Sequence, residues 1–523
     1  MPSSRCLLRD LSITSELSHS IYVHYAHAVY RTHALIPTTQ EKRVSSHHED
    51  RPGAGGIVPV LALAGTIAAI MQTLVVPLLG RLPELLHTSG SNASWVVTAT
   101  LLAGSVTTPV AGRLGDLYGK RLMLLVSTVP LIAGSLLCAL ADSVAPMIIG
   151  RGLQGMGMGI LPLGISALRD LVPAERLGSA IALVSASMGI GGALGLPIAA
   201  AVAQHTDWHV LFWAATGLSV LIAVLLYLVI PAVPVRASGR FDGVGALGLG
   251  SGLICLLLAV SKGATWGWGS GAIVGLFAAA VVILALWGWW ELRTTDPMVD
   301  LRVTARPKVL LTNASSLVLG FGMYASSLIV PQLLQLPKAT GYGLGQSMLA
   351  MGLLMAPGGL MMMLVSPLGA KLSALRGPKV TLVAGGLVLA AGYGLSTLLM
   401  GSVAGLVLAY CVCSIGVALA YGAMPALIMG AVPLSETAAA NGFNTVMRSI
   451  GTSFAAAVVG AVLSQMTISL GGHELPSESG FRTGLFIGCA MALASAAIAS
   501  FIPTGDSGTG SEPAGEPTAA VAA

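Results

Sequence analysis

A short charged segment, residues 109–121, combines residue types that rarely occur together in so apolar a chain. Its polar and flexible members are Gly112, Arg113, Gly115, Asp116, Gly119, Lys120 and Arg121. A carboxylate among basic residues can form ion pairs, or it can accept hydrogen bonds from the free N–H groups at the start of a helix. The glycines allow a tight connection between two apolar runs. The segment therefore predicts electrostatic contacts.

A degenerate copy of this segment occupies residues 367–379. The positions that coincide are Pro109 with Pro367, Leu114 with Leu372, Leu117 with Leu375, and Gly119 with Gly377. Ala374 stands where the first copy has Asp116. A second correspondence pairs Pro173 with Pro433 and Gly191 with Gly451. The spacing indicates two related halves of the chain.

Two arginines, Arg151 and Arg448, lie deep within apolar runs. A charge at the centre of a bilayer costs at least about 2.5–3.5 kcal/mol, so it normally faces a cavity or a partner. Gln154 follows Arg151 by three residues, on nearly the same helix face. A structural arginine bonded to carbonyl groups is the alternative. Further candidates for polar groups in a cavity are Gln72, Asn313, Tyr324, Gln332 and Gln335.

The composition shows where these residues must be placed. Of the 523 residues, 55% are hydrophobic and only 9% are charged, whereas soluble domains carry about 25% charged residues. The chain is thus predicted to be an integral membrane protein. Its six cysteines are scattered and match no metal or disulfide framework. We expect no cofactor, no metal, no catalytic residue and no nucleic-acid partner.

The apolar runs predict fourteen membrane spans, each close to the 20 residues that cross a bilayer. They must be helices, because lipid offers the backbone no other hydrogen-bond partner unless a barrel closes. The predicted spans are 57–79, 92–114, 122–140, 146–168, 178–203, 209–231, 244–261, 270–290, 309–335, 346–370, 380–400, 403–430, 438–464 and 482–502.

The basic residues predict the orientation. They concentrate in alternate connections, at Arg113, Lys120, Arg121, Arg169, Arg176, Arg236, Arg240, Arg293, Arg302, Arg306, Lys308, Lys371, Arg376 and Lys379. The opposite side carries only Arg81, Lys262, Lys338 and Arg482. Because basic loops stay inside, both termini are expected in the cytoplasm.

The repeat divides the chain into six spans, an inserted pair, and six spans. We expect a cytoplasmic disordered extension over 1–55, a six-helix bundle over 56–235, two inserted helices with a linker over 236–300, a second bundle over 301–502, and a disordered tail over 503–523. An upstream error in the start site is an alternative for the extension. Parallel halves with a substrate site between them at mid-membrane are typical of transporters.

Residues 112–121 resemble the loop motif of the major facilitator superfamily. Residues 151–157 are similar to its Arg-x-x-Gln-Gly motif, 189–197 to its antiporter glycine–proline motif, and 208–213 to its Trp-x-Trp-x-Phe segment. Fourteen spans resemble the drug–proton antiporter branch. The resemblance covers about 57–502 and implies an all-α fold with halves related by a pseudo-two-fold axis.

The resemblance also implies roles for these residues. The loop residues Gly112, Arg113, Asp116, Gly119, Lys120 and Arg121 would form a gate that docks on the other half, where span 13 begins. Arg151, Gln154 and Arg448 would serve proton coupling or line the cavity. Gly189, Gly191, Gly192, Gly195 and Pro197 would form a hinge or seal, although close helix packing alone also explains the glycines.

Some residues depart from the family pattern. Leu117 replaces a basic residue of the loop motif, and Gln72 and Thr73 lie where many fourteen-span relatives have an aspartate. All acidic residues fall in loops, tails or span ends, so we expect no buried carboxylate in the membrane. Neutral, amphipathic or anionic substrates then fit better than quaternary cations. Protons would move through Asp116, Glu84 or Asp142, or through the surroundings of the arginines.

The predicted function is proton-driven export of small organic compounds, such as drugs, antibiotics or secondary metabolites. The protein would act as a monomer in the inner membrane, with lipid, protons and a small molecule as its partners. An importer or metabolite exchanger on the same scaffold is the nearest alternative. A membrane-embedded enzyme is remote, because the sequence contains no His-Glu-x-x-His motif, no P-loop and no cluster of acids or histidines within the spans.

Overall fold

The structure is a computed structural model, and it describes residues 54–75, 78, 82–232, 237, 239–470 and 473–503. Most of the predicted extension over 1–55 and nearly all of the predicted tail over 503–523 lie outside the described residues. Arg81 and Arg236, which entered the charge count, lie outside them as well.

The described residues are mostly helical. The helices are α1 (Ala54–Thr73), α2 (Leu82–Leu85), α3 (Gly90–Ala93), α4 (Trp95–Tyr118), α5 (Lys120–Ala139), α6 (Val144–Met156), α7 (Ile160–Leu171), α8 (Ala174–His205), α9 (His209–Val229), α10 (Gly243–Trp266), α11 (Gly271–Glu291), α12 (Leu301–Thr304), α13 (Pro307–Gln335), α14 (Met348–Arg376), α15 (Pro378–Leu399), α16 (Val403–Met429), α17 (Thr437–Gln465) and α18 (Glu478–Ser500). One antiparallel hairpin, β1 (Thr467–Leu470) and β2 (His473–Pro476), pairs Thr467 with Pro476.

Polar residues and prolines mark the starts of several helices. The side chain of Asp242 accepts the backbone N–H of Gly245 at the start of α10, and Ser347 does the same for Ala350 at the start of α14. Pro307 and Pro378 occupy the first turns of α13 and α15, where a missing N–H costs nothing. These caps satisfy backbone donors that would otherwise lack partners at the helix ends.

Thirteen of the described helices are long and apolar enough to cross a membrane. The predicted span 146–168 corresponds to α6 and α7, which a 3₁₀ turn over Gly157–Gly159 separates. Glycine disfavours a regular helix, and Gly155, Gly157 and Gly159 alternate with methionine at this point. The structure thus has many membrane-spanning helices, while the count of fourteen stays a prediction.

The packing forms two large buried cores. The first is built almost wholly from residues 57–230 and the second from residues 319–502. The inserted helix α10 packs through Leu249, Leu253 and Leu257 in a third cluster that includes Phe443 and Val446 of α17. The two halves therefore have separate cores, and α10 lies against α17 at their junction.

Several residues that the sequence predicts to be functional meet at one end of the helices. There α4 ends at Tyr118, α5 begins at Lys120, α7 ends at Leu171, and α17 begins at Thr437. We call this end of the molecule the Asp116 face.

Candidate functional site

Asp116 joins the two halves at the Asp116 face. It lies in the last turn of α4, with 4% of its surface exposed. Its carboxylate accepts the backbone N–H of Ala438 at 3.0 Å and that of Ala439 at 2.9 Å. Both alanines lie in the first turn of α17, where backbone N–H groups have no partner within the helix. The negative charge therefore meets the positive end of the helix dipole.

Glycines allow the two helix backbones to approach each other at this contact. A Cβ atom on Gly112 would lie 2.5 Å from the carbonyl oxygen of Ala438. On α17, a Cβ atom on Gly442 would lie 3.1 Å from the carbonyl oxygen of Thr108. Since real Cβ atoms keep about 3.5 Å or more from such atoms, a larger residue at 112 would push α17 away from Asp116.

The turn after α4 positions the remaining loop residues. Gly119 has φ 102° and its counterpart Gly377 has φ 84°, a region that favours glycine. Lys120 forms an ion pair with Asp170 at 2.5 Å. A guanidinium nitrogen of Arg121 donates to the carbonyl oxygen of Tyr227 at 2.7 Å, in the last turn of α9. These basic residues therefore fix the loop to its own half.

Arg113 lies at the edge of a cavity of about 220 Å³ at the Asp116 face. Only 7% of its surface is exposed, and its Nε has no hydrogen-bond partner among the described residues. Asp300, Asn313 and Glu436 also line this cavity. It thus lies between the first half, the start of α17 and the linker before α13.

Arg169 makes a second contact across the halves, which the sequence did not predict. One of its guanidinium nitrogens donates to Thr437 Oγ1 at 2.8 Å and to the carbonyl oxygen of Val432 at 3.2 Å. Because Arg169 follows the apolar run 146–168, the sequence predicts only that it belongs to a basic connection. The start of α17 is therefore bound by both Asp116 and Arg169.

The copied segment differs from the first in its surroundings. Ala374 is exposed, whereas Asp116 is buried. Leu375 is 73% exposed, whereas its counterpart Leu117 is 9% exposed. Asp116 makes a contact across the halves. Ala374 has no carboxylate, so its side chain cannot make the corresponding contact.

Arg151 is bonded to uncharged partners. Its surface is 2% exposed, and Nη1 donates to the carbonyl oxygen of Met71 at 2.8 Å and to Gln154 Oε1 at 2.6 Å. Gln154 in turn donates to Ser135 Oγ at 2.9 Å. Gln72 and Gln154 line an adjoining space of only about 10 Å³, which is about the room that one water molecule needs.

Arg448 lies in the second half, and its neighbour is an aromatic ring and not a carbonyl group. Its guanidinium carbon is 4.6 Å from the centre of the Tyr421 ring. One turn earlier, Asn444 donates to Asn313 Oδ1 at 2.9 Å and to Ser316 Oγ at 2.7 Å. Asn313 thus belongs to a buried polar cluster in the second half.

The other predicted cavity residues lie apart from this cluster. Tyr324 is partly buried against the second core. Gln332 and Gln335 are exposed near the end of α13, where Gln335 donates to the carbonyl oxygen of Pro331 in its own helix.

The glycines of α8 have different neighbours. Cβ atoms on Gly189, Gly191 and Gly195 would collide with Met362, with the Thr66 carbonyl and with Thr73, whereas no described atom lies within 4 Å of such a position on Gly192. Pro197 packs against Gly352. All but Gly192 therefore lie at close helix contacts.

Two buried charges correct the sequence analysis. Lys262 was placed on an outer connection, but it is 1% exposed within α10 and donates from Nζ to Ser94 Oγ at 2.6 Å. Glu291, at the end of α11, is 2% exposed and accepts the indole N–H of Trp287 at 2.9 Å. Like Asp116, it is buried at a helix end, so the expectation of no carboxylate in the middle of the membrane stays a prediction. In each case the burial comes from helices that pack beside the charge.

Comparisons with known proteins agree with this architecture. The sequence profile of the Major Facilitator Superfamily matches residues 61–456. An uncharacterized MFS-type transporter of Mycobacterium tuberculosis is 32% identical over 310 residues, which are 58% of this chain but only 45% of that relative. The tetracenomycin C resistance and export protein of Streptomyces glaucescens is 29% identical, over 78% of this chain and 74% of that protein.

A solved structure shares the fold. The human organic anion transporter MFSD10 superposes with a TM-score of 0.61 at 15% identity, over 86% of this chain and 100% of that one. The likeness at this identity concerns the fold alone. The family profile, which covers most of the chain, establishes the relationship. The chain belongs to the major facilitator superfamily.

Proposed function

We propose that the protein is a proton-driven exporter of small organic compounds that works by alternating access. The single observation that carries this proposal is the contact of Asp116 with the start of α17. It joins two halves that have separate cores, so it can close the Asp116 face and must break when that face opens. Such a contact can bias two conformations that differ by a few kcal/mol.

The Asp116 face is then the cytoplasmic side, which would place both termini in the cytoplasm. The basic residues of the connections support this orientation. The membrane would be the inner membrane, and one chain would suffice, since the proposed gate lies within a single molecule. The fourteen-span count and the division at residues 235 and 300 belong to the same proposal.

The proposed direction of transport, export from the cell, is inferred from the names of relatives. The Streptomyces glaucescens protein is named for tetracenomycin C resistance and export, and a Bacillus subtilis relative is named a multidrug transporter. Because the chain covers under half of its Mycobacterium tuberculosis relative, the activity of the whole protein is part of the proposal.

The proton would act at Asp116. Of the three acids considered, Glu84 is exposed and the side chain of Asp142 is 96% exposed. Asp116 alone of the three is buried in a contact that opening must break. Protonation would remove its charge from the start of α17 and weaken the closed state.

A susceptibility panel in a pump-deficient bacterial host tests the export. Expression of the wild type should raise the inhibitory concentration of at least one compound by about fourfold or more, and Asp116→Asn should reduce this protection. Everted vesicles with an imposed pH gradient test the coupling. Lack of protection against every compound contradicts export, and transport that ignores the gradient contradicts proton coupling.

A further inference from the structure

A polar stripe runs along one face of α17. Successive residues of a helix are rotated by about 100°, so Asn441, Thr445, Arg448 and Thr452 share one narrow face. The other faces of α17 are occupied. Gly442 packs on α4, Gly451 packs on α13, and Val446 with Ile450 packs near α10. The stripe therefore lies on the side of α17 that faces away from α10, where the Tyr421 ring of α16 lies beside Arg448.

Two donor groups on this stripe lack acceptors. The guanidinium of Arg448 has neither a hydrogen bond nor an ion pair among the described residues, and its central carbon lies 4.6 Å from the centre of the Tyr421 ring. The amide nitrogen of Asn441 is buried, and it too has no partner within the described part of the chain. A buried donor without an acceptor, such as the Asn441 amide, costs about 1–3 kcal/mol.

Arg151 differs from Arg448 in its hydrogen-bond partners. Arg151 bonds to two carbonyl oxygens and to Gln154, so its donors are already used. Arg448 keeps its donors and is 8% exposed. Of the two intramembrane arginines, Arg448 is thus the one that can bind a ligand.

We propose that Arg448, Tyr421 and Asn441 form a binding site for aromatic carboxylates. The guanidinium would bind the carboxylate through two parallel N–H donors, and the Tyr421 ring would pack against the aromatic part of the ligand. Asn441 would donate to one of the same carboxylate oxygens, each of which can accept two hydrogen bonds. This inference rests on the proposed function, because it names the substrate class of the same transporter.

The test compares 1-pyrenebutyrate with its methyl ester, which has the same ring system without the charge. Binding to the purified full chain in lipid nanodiscs is measured by fluorescence, with empty nanodiscs as the correction for partition into lipid. The wild type should bind the acid about tenfold more tightly than the ester. Arg448→Gln should abolish this preference and leave the affinity for the ester within about twofold. Asn441→Ala should reduce the preference by about threefold.

Two variants control the result. Arg482→Gln removes an exposed arginine that pairs with Glu478 at the start of α18, and it should keep the full preference. Arg448→Lys keeps the charge but loses the planar pair of donors, so the preference should fall by about threefold. If Arg448→Gln does not give a monodisperse protein, Arg448→Lys decides the question.

A preference that survives both substitutions at Arg448 overturns the site. So does a wild type that binds acid and ester equally, or binds neither. Failure of the proposed export would appear separately, as a lack of protection in the host, because the binding assay involves no transport.

Discussion

Asp116 and Ala438 are 322 positions apart in the sequence, yet the carboxylate of one accepts the backbone N–H of the other at 3.0 Å. The acceptor lies at the end of α4, and the donor lies at the start of α17. A loop of one half thereby binds the helix start of the other half. The contact needs no basic partner from the second half, because the free N–H groups of α17 supply the positive end.

Asp116→Asn should weaken closure of the Asp116 face. The amide is neutral, so it loses an attraction to the helix start of about 1–2 kcal/mol in a partly buried site. The open population should then rise by about 5- to 30-fold. The labelling rate of a cysteine placed at Ala440, in a background without native cysteines, measures this population. Asp142→Asn, which changes an exposed side chain, should leave the rate unchanged, and equal rates in both variants would argue against the gate.

Gly112→Ala should impair transport more than Gly192→Ala. A methyl group at 112 meets the Ala438 carbonyl at 2.5 Å, whereas no described atom lies within 4 Å of such a group at 192. We expect at least about a tenfold loss of transport rate for the first variant, since overpacking costs about 1–3 kcal/mol in the closed state. The second should stay within about twofold. Rates in everted vesicles, corrected for expression, give the comparison. Similar losses in both would mean that closeness to α17 is unimportant.

Arg169→Gln should also favour the open Asp116 face. The substitution removes a charged donor from Thr437 Oγ1 and the Val432 carbonyl. A hydrogen bond from a charged group contributes about 1.5–3 kcal/mol, so labelling of the cysteine at position 440 should rise by about tenfold. Arg176→Gln, at an exposed position after the same helix, is the matched control. If both variants label at the wild-type rate, Arg169 has no part in closure.

Asp207 should give the folded protein a pH-dependent contribution to stability. Hydrogen bonds from the backbone N–H and the ring of His209 lower the pKa of Asp207 below its ordinary value of 3.8. Because the folded pKa is the lower one, the contribution is complete above the unfolded value and is lost as the pH falls through the folded value.

Thermal unfolding of the wild type and Asp207→Asn measures this contribution. The difference in their midpoints should shrink as the pH falls below about 4. Glu84→Gln, at an exposed acid, should follow the wild type throughout. A difference that grows on acidification would reverse the assigned direction.

The spans could be predicted well because they depend on local composition. Apolar length sets each helix, and most predicted ends lie within six residues of the observed ones, as for 380–400 against Pro378–Leu399. Alternating glycine and methionine residues are a sequence signal for the 3₁₀ turn at Gly157–Gly159. The apolar run is long enough for one span, however, so the sequence predicts a single helix there.

The partners of the charged residues could not be predicted in the same way. Lys262 follows an apolar run, so it resembles a loop residue, and its burial depends on Ser94 and the Trp95 ring far away in the sequence. In the sequence, Arg169 is only one of several basic residues in the connections. The packing of the helices places it beside Thr437. Tertiary packing decides which way each helix is rotated, and therefore whether an arginine side chain reaches hydrogen-bond acceptors. Arg151 reaches them, whereas Arg448 does not.

The central claim is that the Asp116 contact closes one face and breaks during transport. Spin labels at Tyr118→Cys and Leu434→Cys, both at exposed positions on opposite halves, measure the distance across that face in nanodiscs. We predict a short and a long distance in exchange, with the short one dominant in the wild type and the long one dominant after Asp116→Asn. A single distance that neither the substitution nor a change of pH alters would contradict the account.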